Sequence, residues 1–268
     1  MLKRKVTKLL RYVRWVIPSS NAIPVHWHVG RPNFGDDINP ELFKNLLGRQ
    51  VMLSRDVNHE RILGMGSILG RADKNCHVVG SGLLDPTEEV VGGVKSVVAL
   101  RGELSARATG FSPEFLGDPA IFLPKYFRFS LAKQYQYGFL PHHSEADAVR
   151  SSLPNDWLFI DPAWEPEKVL RSICLCEKIV SRSLHGLICA DAYGVPNVWL
   201  HPLEEMRGAT FKYRDYYTTV DTAKQSTKVE VKDLCREAGK LDYFVSHYRY
   251  ECAPYLNHVL DLVPILRP

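Results

Sequence analysis

Lys178-Ile-Val-Ser-Arg-Ser-Leu-His-Gly-Leu-Ile-Cys-Ala-Asp-Ala-Tyr-Gly-Val-Pro-Asn-Val-Trp-Leu200 reads as strand, tight turn, helix, strand. Ile179 and Val180 are apolar and β-branched, suited to a covered strand, and run into the polar Ser181-Arg182-Ser183. The helix begins at His185-Gly186. Leu187, Ile188 and Ala192 recur at helical spacing, Gly194 stands where a helix stops, and Pro196 follows. Val198, Trp199 and Leu200 open a second covered strand. A helix N-terminus presents unpaired N–H groups and the positive end of the peptide dipoles, so it attracts anions. Ser, Arg, Ser and His at that point predict a cradle for phosphate or carboxylate with a titratable group inside it. The plainer reading is a capping serine and a histidine that only packs.

Working outward, the same strand–turn–helix unit recurs. Residues 24–29 alternate like a strand, 30–39 form a Gly/Pro/Asn/Asp loop, and 40–47 form a helix ended by Gly48. Residues 61–67 and 76–82 read as strands running into glycine turns. Residues 97–100 are a strand followed by Arg101-Gly102 and a helix to Ala108, and residues 114–123 close this half. After a linker at 124–134 come strands at 137–143 and 157–160, a helix at 165–176, the opening stretch, and terminal helices at 229–238 and 241–263. Alternating strands and helices predict an α/β fold with parallel sheets, and ligands of such sheets bind beyond the carboxyl ends of the strands. The polar motifs gather at those ends: 33–37, 64–67, 80–82, Arg101-Gly102, Gly117-Asp118, His142-His143 and 181–186. The division expected is a basic helix at 1–20, an N-terminal domain at 21–127, a C-terminal domain at 128–228 and closing helices at 229–268.

Composition is that of a globular protein, 45% apolar and 24% charged over 268 residues, with no apolar run long enough to span a membrane. Residues 1–17 hold Lys3, Arg4, Lys5, Lys8, Arg11 and Arg14 and no acid. Six positive charges against a whole-chain net of +4 leave −2 for the rest, so no nucleic-acid surface is expected. Val6, Leu9, Leu10, Val13, Val16 and Ile17 share one helical face, with Arg4, Lys8 and Arg11 on the other. That pattern suits a helix lying on an anionic membrane surface, or a first helix packed on the domain with a solvated basic face. Arg11 and Arg14 interrupt any signal-peptide core. The cysteines lack CxxC pairs, which predicts free thiols in a reducing compartment.

Each motif has a functional and a plainer reading. In Asn33-Phe-Gly-Asp-Asp-Ile-Asn39, Gly35 permits close backbone approach, while Asp36 or Asp37 faces a substrate hydroxyl or caps the helix. No His/Glu cluster accompanies these acids, so no metal is expected. Gly64-Met-Gly-Ser67 and Gly80-Ser-Gly82 do not match GxGxxG or a P-loop; they admit a ligand to the backbone or simply turn the chain. Arg101 holds an anion through its planar fork, or pairs at the surface with Glu103 or Glu114. Lys212, in the aromatic and basic stretch 209–217, serves a sugar or anion site, or is solvated on a helix whose Phe211 and Tyr216 enter the core. No GxSxG elbow or base-assisted cysteine favours hydrolysis.

In order, Asn33-Phe-Gly-Asp36, the glycine turns, Arg101-Gly102 with Ser105, Gly117-Asp118-Pro119, Pro141-His142, Ser183-Leu-His-Gly186 and Ala192-Tyr-Gly-Val-Pro196 resemble the polysaccharide pyruvyl transferase family. The resemblance covers residues 24–220. The stretch 211–217 looks most like the ketal pyruvate transferases of bacterial exopolysaccharides such as xanthan. It implies a GT-B-like pair of Rossmann-like domains facing a cleft, phosphoenolpyruvate as a substrate with no cofactor, and a lipid-linked oligosaccharide acceptor at the cytoplasmic face of the inner membrane. It implies His185, Lys212 and Asp36 as catalytic residues. Arg101, Arg182, Ser183, Gly186 and His142 would lie on the donor side, and Asn33, Gly35, Asp37 and Ser67 on the acceptor side. Many members carry Arg-Leu-His; here Ser183 takes the arginine's place, one residue after Arg182. Either Arg182 reaches the donor from a shifted turn, or Arg101 and Lys212 supply the charge. The rival readings are a nucleotide-sugar glycosyltransferase of the same architecture and a non-catalytic carbohydrate-binding protein.

Overall fold

The computed structural model describes residues 21–203, 208 and 210–266, with Val13, Trp15 and Val16 ahead of them. Strands β1 (Ile23–His26), β2 (Val51–Leu53), β3 (Arg61–Leu63), β4 (Cys76–Ser81), β5 (Ser96–Leu100) and β6 (Phe115–Leu116) form one sheet in the order β2-β1-β3-β4-β5-β6. Strands β7 (Tyr135–Leu140), β8 (Leu158–Phe159), β9 (Cys176–Ser181) and β10 (Asn197–Trp199) form a second, in the order β10-β9-β7-β8. Every pairing in both sheets is parallel. Parallel sheets are covered on both faces, so their strands are buried throughout. That corrects the alternation expected over 24–29: all of β1 is buried, and Trp27 beyond it is fully so.

Strand order reverses between β1 and β3 in the first sheet and between β7 and β9 in the second. At such a switch point successive connections leave in opposite directions and open a crevice at the carboxyl edge.

Helix α1 (Asn39–Leu47) ends at Gly48, and α2 (Glu103–Thr109) at Gly110; both glycines take the left-handed conformation that stops a helix. After α3 (Pro166–Cys174) comes α4 (Leu184–Ala192), where Ser183 caps the amide of Gly186 at 3.4 Å. Apolar α4 side chains are buried all round, because the helix is wedged between α3 and the turn Pro119–Phe122 of the first half. Helix α5 (Phe211–Tyr217) leaves the second sheet and lies on α2, with Tyr213 stacked on Trp199 at 4.8 Å.

The terminal helices differ from expectation. Residues 229–238 fall into short turns around Leu234–Glu237. Of 241–263 only α6 (Cys252–Leu260) is regular helix. The aromatic, β-branched stretch before it is drawn into bridges, Phe244 to Asn197 and Tyr248 to Val220. Helix α6 returns to the first sheet, where Tyr255 stacks on Phe115 at 5.4 Å and donates its hydroxyl to Gly117 O at 3.2 Å.

The basic helix expected at 1–20 lies outside the described residues apart from Val13, Trp15 and Val16; Trp15 meets Trp27 edge-on at 5.8 Å. Among the described residues no helix is long and apolar enough to cross a membrane. All six cysteines are free thiols.

Candidate active site

A cavity of about 310 Å³ lies where the two carboxyl edges face one another. The loops at both switch points supply its walls. Asn33 and Asp36 follow β1, Ser67 and Arg71 follow β3, His142 and His143 follow β7, and Ser183 and His185 follow β9. Lys212 enters from α5.

The acidic wall is the turn Phe34–Asp37, tied to the second half where the Phe34 amide donates to Pro162 O at 2.8 Å. Asp37 accepts the Asn33 amide at 3.1 Å and so serves the turn. Asp36 reaches the cavity, held by Asn33 Nδ2 at 2.8 Å. Gly35 is needed for close approach: a Cβ there would stand 2.1 Å from His185 Nδ1. On the opposite edge of the imidazole, Nε2 faces Asp118 Oδ2 at 3.7 Å.

Burial pushes the Lys212 ammonium down to about 8; the nearby Arg101 charge adds to this and Asp36 opposes it. Burial, with Lys212, His143 and Arg182 around it, pushes His142 down to about 3. His143 is lowered too, mainly by burial, with Asp36 offsetting part of the effect. His142 is therefore a neutral ring at neutral pH and offers hydrogen bonds rather than charge; its Nδ1 lies 2.7 Å from Ser144 Oγ.

Neither arginine expected at the donor lines the cavity. Arg101 is fully buried: Nε donates to Asp215 Oδ2 at 2.9 Å, Nη1 to Ser67 Oγ at 2.8 Å and Nη2 to Leu83 O at 2.6 Å. A surface pair with Glu103 or Glu114 is thus replaced by a buried one with Asp215, which also accepts the Ser105 amide and hydroxyl. The neighbouring glycines make room for this cluster. A Cβ on Gly82 would lie 2.4 Å from the guanidinium carbon, and one on Gly102 would lie 1.9 Å from Asp215 O. Arg182 pairs with Glu145 and donates Nε to His201 O at 2.9 Å. Glu145 in turn accepts the His142 amide at 2.9 Å. Each arginine therefore braces a lining residue, Arg101 through Ser67 and Arg182 through Glu145. Gly186 stands away from the cavity, where a Cβ would meet Ser181 Oγ at 2.5 Å.

Three polar lining residues lay outside the expected set: His28, His143 and Arg71, the last 3.1 Å from His28 Nδ1 through its Nη1. His28 follows β1 and Arg71 the glycine turn after β3, so the carboxyl-end rule alone points to them.

Such a cavity, flanked by an ammonium, imidazoles and one carboxylate between the carboxyl edges of two parallel sheets, defines an α/β protein equipped for a small polar, anionic ligand. Residues 59–201 match the family model for polysaccharide pyruvyl transferase, and the chain belongs to that family. It is similar to the succinoglycan biosynthesis protein ExoV of Rhizobium meliloti (strain 1021), 34% identical over 223 residues, which are 78% of this chain and 68% of that one. An uncharacterized protein of Acanthamoeba polyphaga mimivirus is 28% identical over 193 residues, 66% of this chain and 67% of its own. A crystal structure of a protein from Klebsiella pneumoniae subsp. pneumoniae aligns over 86% of this chain and 100% of its own, with 12% identity and a TM-score of 0.46.

Proposed function

We propose that the protein transfers a carboxyethylidene group from phosphoenolpyruvate to two hydroxyls of one sugar in a lipid-linked exopolysaccharide repeat unit. The products are a cyclic ketal and phosphate. One observation carries this reading: His185, Lys212 and Asp36 line one cavity. The enol carbon must become electrophilic, so an acid protonates the methylene and a sugar hydroxyl attacks the adjacent carbon. The second hydroxyl then displaces phosphate. His185 is the general acid, and Lys212 stabilises the donor's anionic groups. Asp36, aimed by Asn33, orients the acceptor hydroxyl and takes its proton. Ser67 and His142 hydrogen-bond the substrates, with Arg101 and Arg182 as their supports. The two lobes, residues 21–127 and 128–228, act as a GT-B-like pair, donor on the second and acceptor on the first. The basic N-terminal segment holds the enzyme on the cytoplasmic face of the cell membrane, where lipid-linked acceptors lie. The ExoV relative, named for succinoglycan biosynthesis, supports an exopolysaccharide acceptor.

The test is incubation with phosphoenolpyruvate and lipid-linked oligosaccharides. Phosphate release coupled to a carboxyethylidene gain on the acceptor by mass spectrometry is expected. Consumption of a nucleotide sugar with phosphoenolpyruvate untouched would replace this reading with the glycosyltransferase one.

A further inference from the structure

Asp118 is a buried carboxylate that this chemistry leaves unused. It follows β6 on the first sheet and is fully buried. Its two oxygens are in unequal positions. Oδ1 accepts the Ala120 amide at 3.0 Å and caps the turn Pro119–Phe122. Oδ2 has no hydrogen-bond partner among the described residues and faces His185 Nε2 at 3.7 Å, an atom that is likewise buried and without one. A carboxylate oxygen sequestered from water without a donor is costly. A proton on the facing ring nitrogen, with closure of at least about half an ångström, satisfies both atoms. The opposite nitrogen, Nδ1, lies against Gly35, where only the absence of a side chain admits the ring, and His185 lines the cavity.

We infer that Asp118 is the positioning residue of His185: its carboxylate keeps a proton on Nε2, so that Nδ1 is the atom that delivers a proton to the substrate. The inference rests on the phosphoenolpyruvate reading above. In that step the Nδ1–H bond of the imidazolium breaks and a C–H bond forms at the donor's methylene carbon. The ring is left neutral with Nε2–H directed at Asp118, and solvent reprotonates Nδ1 after product release. Asp118 comes from the first sheet's edge and His185 from the second's, so the pair exists only where the two edges meet.

Asp118→Asn keeps the shape and the Oδ1 cap, removes the charge and turns an N–H toward Nε2. The expected kcat falls on the order of 100-fold, with KM within about threefold. Nitrogen NMR of labelled histidine gives a readout without turnover: neutral His185 carries its proton on Nε2 in the parent protein and on Nδ1 in D118N. Parent protein that shows this switch but releases no phosphate from phosphoenolpyruvate supports the positioning role and refutes the donor. Equal turnover by both proteins, or a parent tautomer protonated on Nδ1, overturns the positioning role. If D118N fails to fold, the parent tautomer alone decides.

Discussion

Behind the cavity Arg101 meets Asp215 and Arg182 meets Glu145, so each buried guanidinium has its carboxylate. In the lining, Lys212 and His142 are half-buried with no carboxylate hydrogen-bonded to their side chains among the described residues, and desolvation depresses both. The back layer is electrostatically complete and builds the walls. The front layer is not: an anion placed beside Lys212 would favour the charged form that burial disfavours. A side chain's charge alone therefore does not mark it as a ligand-binding group; what matters is whether the fold has already supplied its partner.

His185→Gln tests the front layer most severely. Turnover should fall about 10²–10⁴-fold while the denaturation midpoint holds, since the ring is replaced by a polar group of similar reach. Unchanged turnover would remove it from the chemistry.

Asp215→Ala tests the back layer. It leaves a guanidinium buried and uncompensated, at a cost of about 3–5 kcal/mol in denaturant unfolding. A loss confined to substrate affinity, with stability intact, would place Arg101 among the binding groups after all.

Lys212→Met should separate the two properties. Donor KM rises about 10–100-fold, the scale of a lost charge-assisted hydrogen bond, while thermal stability at neutral pH increases. The sign follows from linkage. With the folded value near 8 and the ordinary one at 10.5, the unfolded chain binds more protons between those limits, so parent stability climbs with pH across that window. The variant should lack this climb. A Lys212→Met protein less stable than its parent would show that the ammonium is already satisfied.

The smallest effect is on the acid side. His142, near 3, and His26, which burial and Arg61 push down to about 4, are neutral when folded and protonate from 6.5 downward when unfolded. Melting temperature should decline steadily as pH falls from about 6.5 toward 4, and His142→Gln should flatten part of the slope.

The sequence discloses the site's location better than its wiring. Strands β1, β3, β7 and β9 are short apolar runs ending in polar loops, so the carboxyl-end rule brought Asn33, Asp36, Ser67, His142, Ser183 and His185 to one cavity, which Lys212 joins from α5. Local reading cannot find a partner 114 residues away, which is the separation of Arg101 and Asp215. Hence Arg101 looked like a donor ligand, when its guanidinium is taken up by Asp215, for which Gly102 leaves room. Glu145, the counter-ion of Arg182 from 37 residues away, carries no local signal either. Strand β2 has only three residues, too few for periodicity to register. At 243–248 the sequence carries both alternation and helical spacing, and pairing of Phe244 with Asn197 and of Tyr248 with Val220 decides for the extended form.

The clasp of Tyr255 on Gly117, next to Asp118, has a consequence for biosynthesis. Every cavity-lining side chain has left the ribosome once residue 212 is clear of the exit tunnel, yet the peptide that seats Asp118 is not fastened until residues 252–260 emerge and fold back across the first sheet. A nascent chain halted between those points holds all its reactive groups and lacks the brace that aims one of them, so competence arrives with the closing helix rather than growing with length.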